Sequence, residues 1–206
     1  MRLGTAELLV ATIDNVFGVE SRLWRTLREL TVAPGRLVRN YVNGQRVRYL
    51  SPVRYAVSTC AVWWLVIQWL LRGADLSSVP KAAVVTLQWG QWLNLALLPM
   101  LAVPIWSTFL GTRTRYAEAL AAMLFACGHV FLWRAGLALL GHLWPGAASA
   151  LSTVDAVAFL AYLGLTLTWA FWQRGRWVLA RAMLAVALVV LASGQLTAWI
   201  IRWLAT

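Results

Sequence analysis

The feature that most constrains this chain is a series of long apolar stretches separated by short basic connections. A helix needs about 20 apolar residues to cross a hydrocarbon core of roughly 30 Å. Five stretches meet that need, at about 55–71, 92–110, 117–140, 154–172 and 178–201. The second begins after the more polar Gln88, Gly90 and Gln91 and carries Pro99 and Pro104, which predict kinks. The third runs out at Trp144, Pro145 and Gly146, and Ser152 or Thr153 offers an N-cap for the fourth. The expected fold is an all-α polytopic bundle of about five spans (55–206), preceded by a basic amphipathic segment (1–54) with interfacial helices.

Composition closes off the alternatives. Of 206 residues, 61% are hydrophobic and 12% charged, whereas a soluble domain carries about 25% charged residues. That excludes a water-facing globular domain, and the apolar content excludes disorder. The net charge of +11 is interleaved with bilayer-length runs, which argues against a soluble nucleic-acid binder. The sequence MRLGTAELLV has neither the apolar core nor the small-residue cleavage site of a secretory signal, so the N-terminus is expected to be retained.

Charge placement gives an expected orientation, because loops rich in Lys and Arg stay on the cytoplasmic side. Nine arginines precede the first span, and Arg113, Arg115, Arg174, Arg176 and Arg181 fall in or beside the next two loops on that side. Arg72, Lys81 and Arg202 fall on the other, while Arg134 lies within a span. Fourteen against three predicts a cytoplasmic N-terminus, an external C-terminus and, for a bacterial cell, the inner membrane. Trp69, Trp89, Trp92, Trp144, Trp199 and Trp203 would mark the outer interface, and Trp106, Trp169, Trp172 and Trp177 the inner one.

The basic segment has helical periodicity. Leu9, Ile13, Val16 and Phe17 form a stripe within 5–18 that excludes Glu7, Asp14 and Asn15. Further on, Leu23, Trp24, Leu27 and Leu30 oppose Arg22, Arg25 and Arg28, a pattern suited to the headgroup boundary. Pro34 at a first turn and Gly44 just past an end frame a helix of about ten residues, with Leu37, Val38, Tyr41 and Val42 on one face. Arg36, Arg39, Arg46, Arg48 and Arg54 make a juxtamembrane collar with no acid among them. Near an anionic leaflet each contributes about 1 kcal/mol, and a guanidinium can grip a phosphate through two parallel hydrogen bonds. One reading is that the collar only sets topology. The other is a lipid-headgroup or partner site, with Tyr41 and Tyr49 at the interface.

Arg25, Thr26, Leu27, Arg28, Glu29 and Leu30, then Pro34, Gly35, Arg39, Tyr41, Gly44, Arg46, Tyr49 and Pro52, fit a pattern close to R-T-L-R-D-L followed by P-G-x-x-x-R-x-Y-x-x-G-x-R-x-x-Y-x-x-P. Over about residues 20–70 the chain resembles a family of bacterial integral membrane proteins of unknown function that share this pattern. Many of them begin with a cysteine-rich zinc ribbon. The two cysteines here, Cys60 and Cys127, both lie in apolar stretches, so the resemblance brings no metal role. It implies no established activity either. In layout alone, five spans after a cytoplasmic N-terminus are similar to the Yip-type membrane-trafficking proteins.

Ionisable residues inside a span are costly in hydrocarbon and therefore candidates for function. Glu118 and His129 lie on one face of the third span, about 16 Å apart, and suggest a polar track; Arg134 is turned well away from it. Asp155 is placed to cap the fourth span or to meet Arg134 across the bundle. Asn94, Gln195 and Gln68 read as interhelical hydrogen-bonding groups, and Ala117/Ala121, Ala122/Ala126 and Gly194/Ala198 as close-packing pairs. No nucleophile with a base, no metal-ligand spacing and no phosphate-binding glycine loop is present, His142 standing alone. The expectation is a non-enzyme without cofactor or nucleic-acid partner, contacting anionic lipid, a membrane protein or a second copy. The alternative is a small transporter or channel on the Glu118/His129 face.

Overall fold

The computed structural model describes residues 21–72, 77, 79–112, 114–172 and 177–205. The 5–18 stripe, Arg2, Arg113 and the 173–176 turn lie outside them, as does Gly175 within that turn. Helix α1 covers 21–32. It is followed by α2 (Pro34–Val42), a single 3-10 turn (Arg46–Arg48), α3 (Pro52–Leu70), α4 (Lys81–Thr108), α5 (Tyr116–Leu143), a second 3-10 turn (Pro145–Ala147), α6 (Ala148–Ala170) and α7 (Val178–Ala205). Every regular element among the described residues is helical. Four stretches, Arg46–Leu70, Tyr116–Leu143, Ser149–Ala170 and Val178–Leu196, are long and apolar enough to cross a membrane. α4 is equally long but more polar, since Gln88, Gln91 and Asn94 lie within it.

Helix α5 is central and packs against α2, α3, α4 and α6. Its residues Ala119, Ala122, Ala126 and Gly128 are small, which lets neighbouring backbones approach closely. A Cβ on Gly128 would stand 2.9 Å from the Tyr55 ring and 3.0 Å from the Ala56 Cα, so α3 and α5 meet nearly backbone to backbone. α4 and α7 pair alongside, and a single buried cluster runs from Leu30 and Leu37 through Ile105, Phe125 and Leu167 to Val189.

Several boundaries differ from the sequence reading. α4 begins at Lys81, well before residue 92, and continues as one helical element through Pro99 and Pro104. α6 begins at Ala148, so Ser152 and Thr153 are inside the helix and do not cap it. Their hydroxyls donate to the Ser149 carbonyl at 2.7 and 3.1 Å, the back-bonding open to Ser and Thr within a helix. At α2 the expected punctuation is present: Pro34 occupies the first turn, and Gly44 takes φ 104°, which L side chains rarely adopt.

Candidate functional site: a basic cleft at one end of the bundle

The first two helices form a cap on the end of the bundle where α3 starts. α1 turns its apolar face inward: Leu30 is fully buried, and Leu23 and Leu27 pack on the same core. This corrects the expectation that the whole Leu/Trp face meets the headgroup boundary. Only Trp24, 72% exposed, points outward. α2 lies across α6, with Leu37 and Val38 buried. Gly35 makes that approach possible, because a Cβ there would overlap the Trp169 Cβ and stand 2.7 Å from the Ala170 backbone nitrogen.

Polar contacts lock this cap to the entry of α3. Buried Thr26 donates to the Arg22 carbonyl (2.7 Å) and accepts from the Leu50 amide (3.1 Å). The Tyr49 hydroxyl donates to Glu29 at 2.8 Å and accepts from the Asn40 side chain at 3.2 Å. Ser51 accepts from the Arg54 amide and so caps α3, whose first turn holds Pro52. Tyr49 is 2% exposed, and Tyr41 sets its ring edge-on to Phe125 at 5.3 Å. Tyr49 therefore sits inside the cap and not at the headgroup interface, while Tyr41 is half-buried. An amphipathic ring buried against an apolar core still satisfies its hydroxyl, here through Glu29 and Asn40 for Tyr49.

These contacts occupy Thr26, Glu29, Leu30, Gly35 and Tyr49 of the motif, while Arg25, Arg28 and Arg46 of the motif, and Arg36 and Arg48 between its fixed positions, stay exposed. Arg25 and Arg28 of α1, Arg36 of α2 and Arg48 line one cleft of about 560 Å³ with Glu29 and Trp24. Four guanidinium groups face one carboxylate, and Glu29 is already engaged by Tyr49 and, at 3.5 Å, by Arg48. Of the five collar arginines, only Arg36 and Arg48 enter this cleft. Arg39 is half-buried in the last turn of α2, Arg46 lies over the Tyr41 ring at 5.9 Å, and Arg54 is exposed in the first turn of α3. Sequence reasoning assigned Arg25 and Arg28 only to a polar helix face. Their spacing, with Glu29 and Val32 on the same side of one helix, was the available signal.

The ionisable candidates of the long apolar helices fall into separate groups. Glu118 reaches back to the Arg115 amide (3.4 Å) at the start of α5, which closes the helix N-terminus. His129, buried, meets the Tyr55 hydroxyl at 2.9 Å and Thr31 at 3.4 Å and stacks on Tyr162. Tyr162 in turn donates to the Leu30 carbonyl (3.0 Å). The Glu118 and His129 side chains thus serve different partners, and the His129 cluster fastens α1 to α3, α5 and α6. Arg134 and Asp155 do meet across the bundle, with an N···O distance of 2.9 Å. Cys60 and Cys127 are buried, and among the described residues no three His, Cys, Asp or Glu side chains gather as a metal site.

No curated protein and no solved structure matches the chain. Residues 20–63, which contain α1, α2, the lock and the first turns of α3, match the model of a family described as proteins of unknown function (DUF3667).

Proposed function

We propose that this chain is a non-enzymatic inner-membrane protein that holds anionic lipid headgroups in the Arg25/Arg28/Arg36/Arg48 cleft. One observation carries the reading. Four guanidinium groups converge beside an exposed tryptophan at the end of an apolar bundle, while the surrounding motif residues are consumed by packing. Arginine is the side chain best matched to phosphate oxygens, and exposed Trp24 suits the interfacial depth at which those phosphates lie.

The proposal includes five spans with the cleft on the cytoplasmic side. α4, of 28 residues, is about 42 Å long, enough to cross with its polar residues near one end. Exposed Trp69, Trp89, Trp144 and Trp199 fall towards the end away from the cleft, and exposed Trp169, Trp172 and Trp177 towards the cleft end. That arrangement suits two aromatic belts.

The test is a lipid titration of the full-length protein in neutral detergent, read by native mass spectrometry. Wild type is expected to bind phosphatidylglycerol in preference to phosphatidylcholine. Arg25→Gln/Arg28→Gln/Arg36→Gln removes about 3 kcal/mol of attraction at roughly 1 kcal/mol each, a loss of about a hundredfold. Equal phosphatidylglycerol binding by the two proteins would refute the proposal.

A further inference from the structure

At the opposite end of the bundle, Arg134 and Asp155 form a second charged centre with unused hydrogen-bonding capacity. Asp155 spends its carboxylate on the Arg134 Nε, which donates to both oxygens at 3.0 and 2.9 Å, and on the Trp133 indole N–H at 3.2 Å. An arginine–carboxylate pair can be bidentate through two nitrogens. Here one nitrogen makes the whole contact, and the two terminal amino groups donate to no other described residue. They are not sealed in, because the one fully buried side-chain nitrogen without a partner among the described residues is that of Trp64.

The guanidinium is also held in place. Its carbon lies 5.6 Å from the centre of the Trp63 ring and 5.5 Å from that of Phe159, so two aromatic rings hold it between α3 and α6. Arg134 and Asp155 themselves line a cleft of about 370 Å³ whose other walls include Trp63, Ile67, Leu137, Leu151 and Ser152. Arg134 precedes the end of α5 by nine residues, about 13 Å. A charge at that depth is costly unless its donors are satisfied.

We propose that this cleft binds the anionic head of a membrane amphiphile, with the Arg134 amino groups gripping a carboxylate or phosphate and the apolar walls taking the alkyl chain. The pair is neutral as a unit, so the anion supplies the acceptors that Asp155 leaves unprovided. The site lies away from the basic cleft and does not depend on it. Two sources offer the same chemistry: a free fatty-acid carboxylate and a phospholipid phosphate.

The experiment titrates the full-length protein in neutral detergent with dodecanoate, with short-chain phosphatidylglycerol and with dodecanol, read by native mass spectrometry in an Arg25→Gln/Arg28→Gln/Arg36→Gln background so that the basic cleft does not contribute. One of the two anions is expected to bind and dodecanol not, and the anion retained identifies the source. Arg134→Gln should weaken that binding tenfold or more, as loss of a charge-assisted hydrogen bond requires. Asp155→Asn should leave it intact or tighten it, because a competing anion has gone. Ser152→Trp, which leaves the pair untouched, should block the cleft. The proposal fails if dodecanol binds as well as the anions, if Arg134→Gln binds like its parent, or if Asp155→Asn loses binding together with Arg134→Gln, the pattern of a structural pair.

Discussion

The Tyr49 hydroxyl, between Asn40 and Glu29, joins α1, α2 and the segment that leads into α3. Tyr49→Phe removes both bonds and leaves the rest of the ring in place, so it should cost about 1–2 kcal/mol, read as a lower unfolding midpoint in detergent. Tyr55→Phe deprives His129 of its 2.9 Å partner inside the bundle, and an unsatisfied buried group costs about 1–3 kcal/mol. It should therefore destabilise at least as much as Tyr49→Phe. The two cases mark how far single residues could be read. Arg134 and Asp155 were legible as partners because opposite charges in otherwise apolar helices have few alternatives. Glu29 and Tyr49 were not, since both also fit an exposed position and nothing local announces a contact across 20 residues. Arg25 and Arg28 were visible as a basic face, but their convergence with Arg36 and Arg48 depends on how α1 folds back over α2.

Elements were legible where backbone chemistry punctuates them. Pro34 and Gly44 bounded α2 correctly, while a run of Ala and Ser around 148–153 concealed the start of α6 because hydroxyls serve equally well as caps or as back-bonding groups within a helix. The two glycines of the motif should respond differently. At Gly35 an added methyl would overlap the Trp169 Cβ, so Gly35→Ala is expected to cost about 1–3 kcal/mol and to lift α2 from α6. Protease accessibility of the α2 segment, together with the unfolding midpoint, checks this. At Gly44 no atom lies within 4 Å and only the φ of 104° resists substitution. Gly44→Ala should then cost roughly 1–2 kcal/mol, and Gly44→Asn less, since Asn tolerates positive φ better than Ala. The amphipathic pattern of α1 was read correctly as two faces, but periodicity cannot say whether the apolar face meets lipid or the protein's own core.

At the scale of the molecule, the all-helical class and four helices long and apolar enough to cross a membrane were legible, because bilayer-length apolar runs admit few other folds. The number of crossings rests on α4, whose Gln88, Gln91 and Asn94 make it less apolar than the other long helices. Five crossings predict that a fluorescent-protein fusion after Thr206 stays dark and an alkaline phosphatase fusion there is active; a fluorescent C-terminal fusion would contradict the odd count. Attraction of phosphate to the basic cleft should also weaken with salt, as the Debye length falls from about 10 Å at 0.1 M to about 3 Å at 1 M. The central claim is a division of labour within one short segment: Thr26, Glu29, Asn40 and Tyr49 lock the cap, and Arg25, Arg28, Arg36 and Arg48, left exposed, take anionic headgroups. The most direct measurement follows phosphatidylglycerol affinity and unfolding midpoint together in two variants. Arg25→Gln/Arg28→Gln/Arg36→Gln should lose lipid affinity about a hundredfold at an unchanged midpoint, and Thr26→Ala, which removes the acceptor for the Leu50 amide, should lower the midpoint at unchanged affinity. A triple variant that keeps its lipid, or one that loses lipid only by unfolding, would contradict the account.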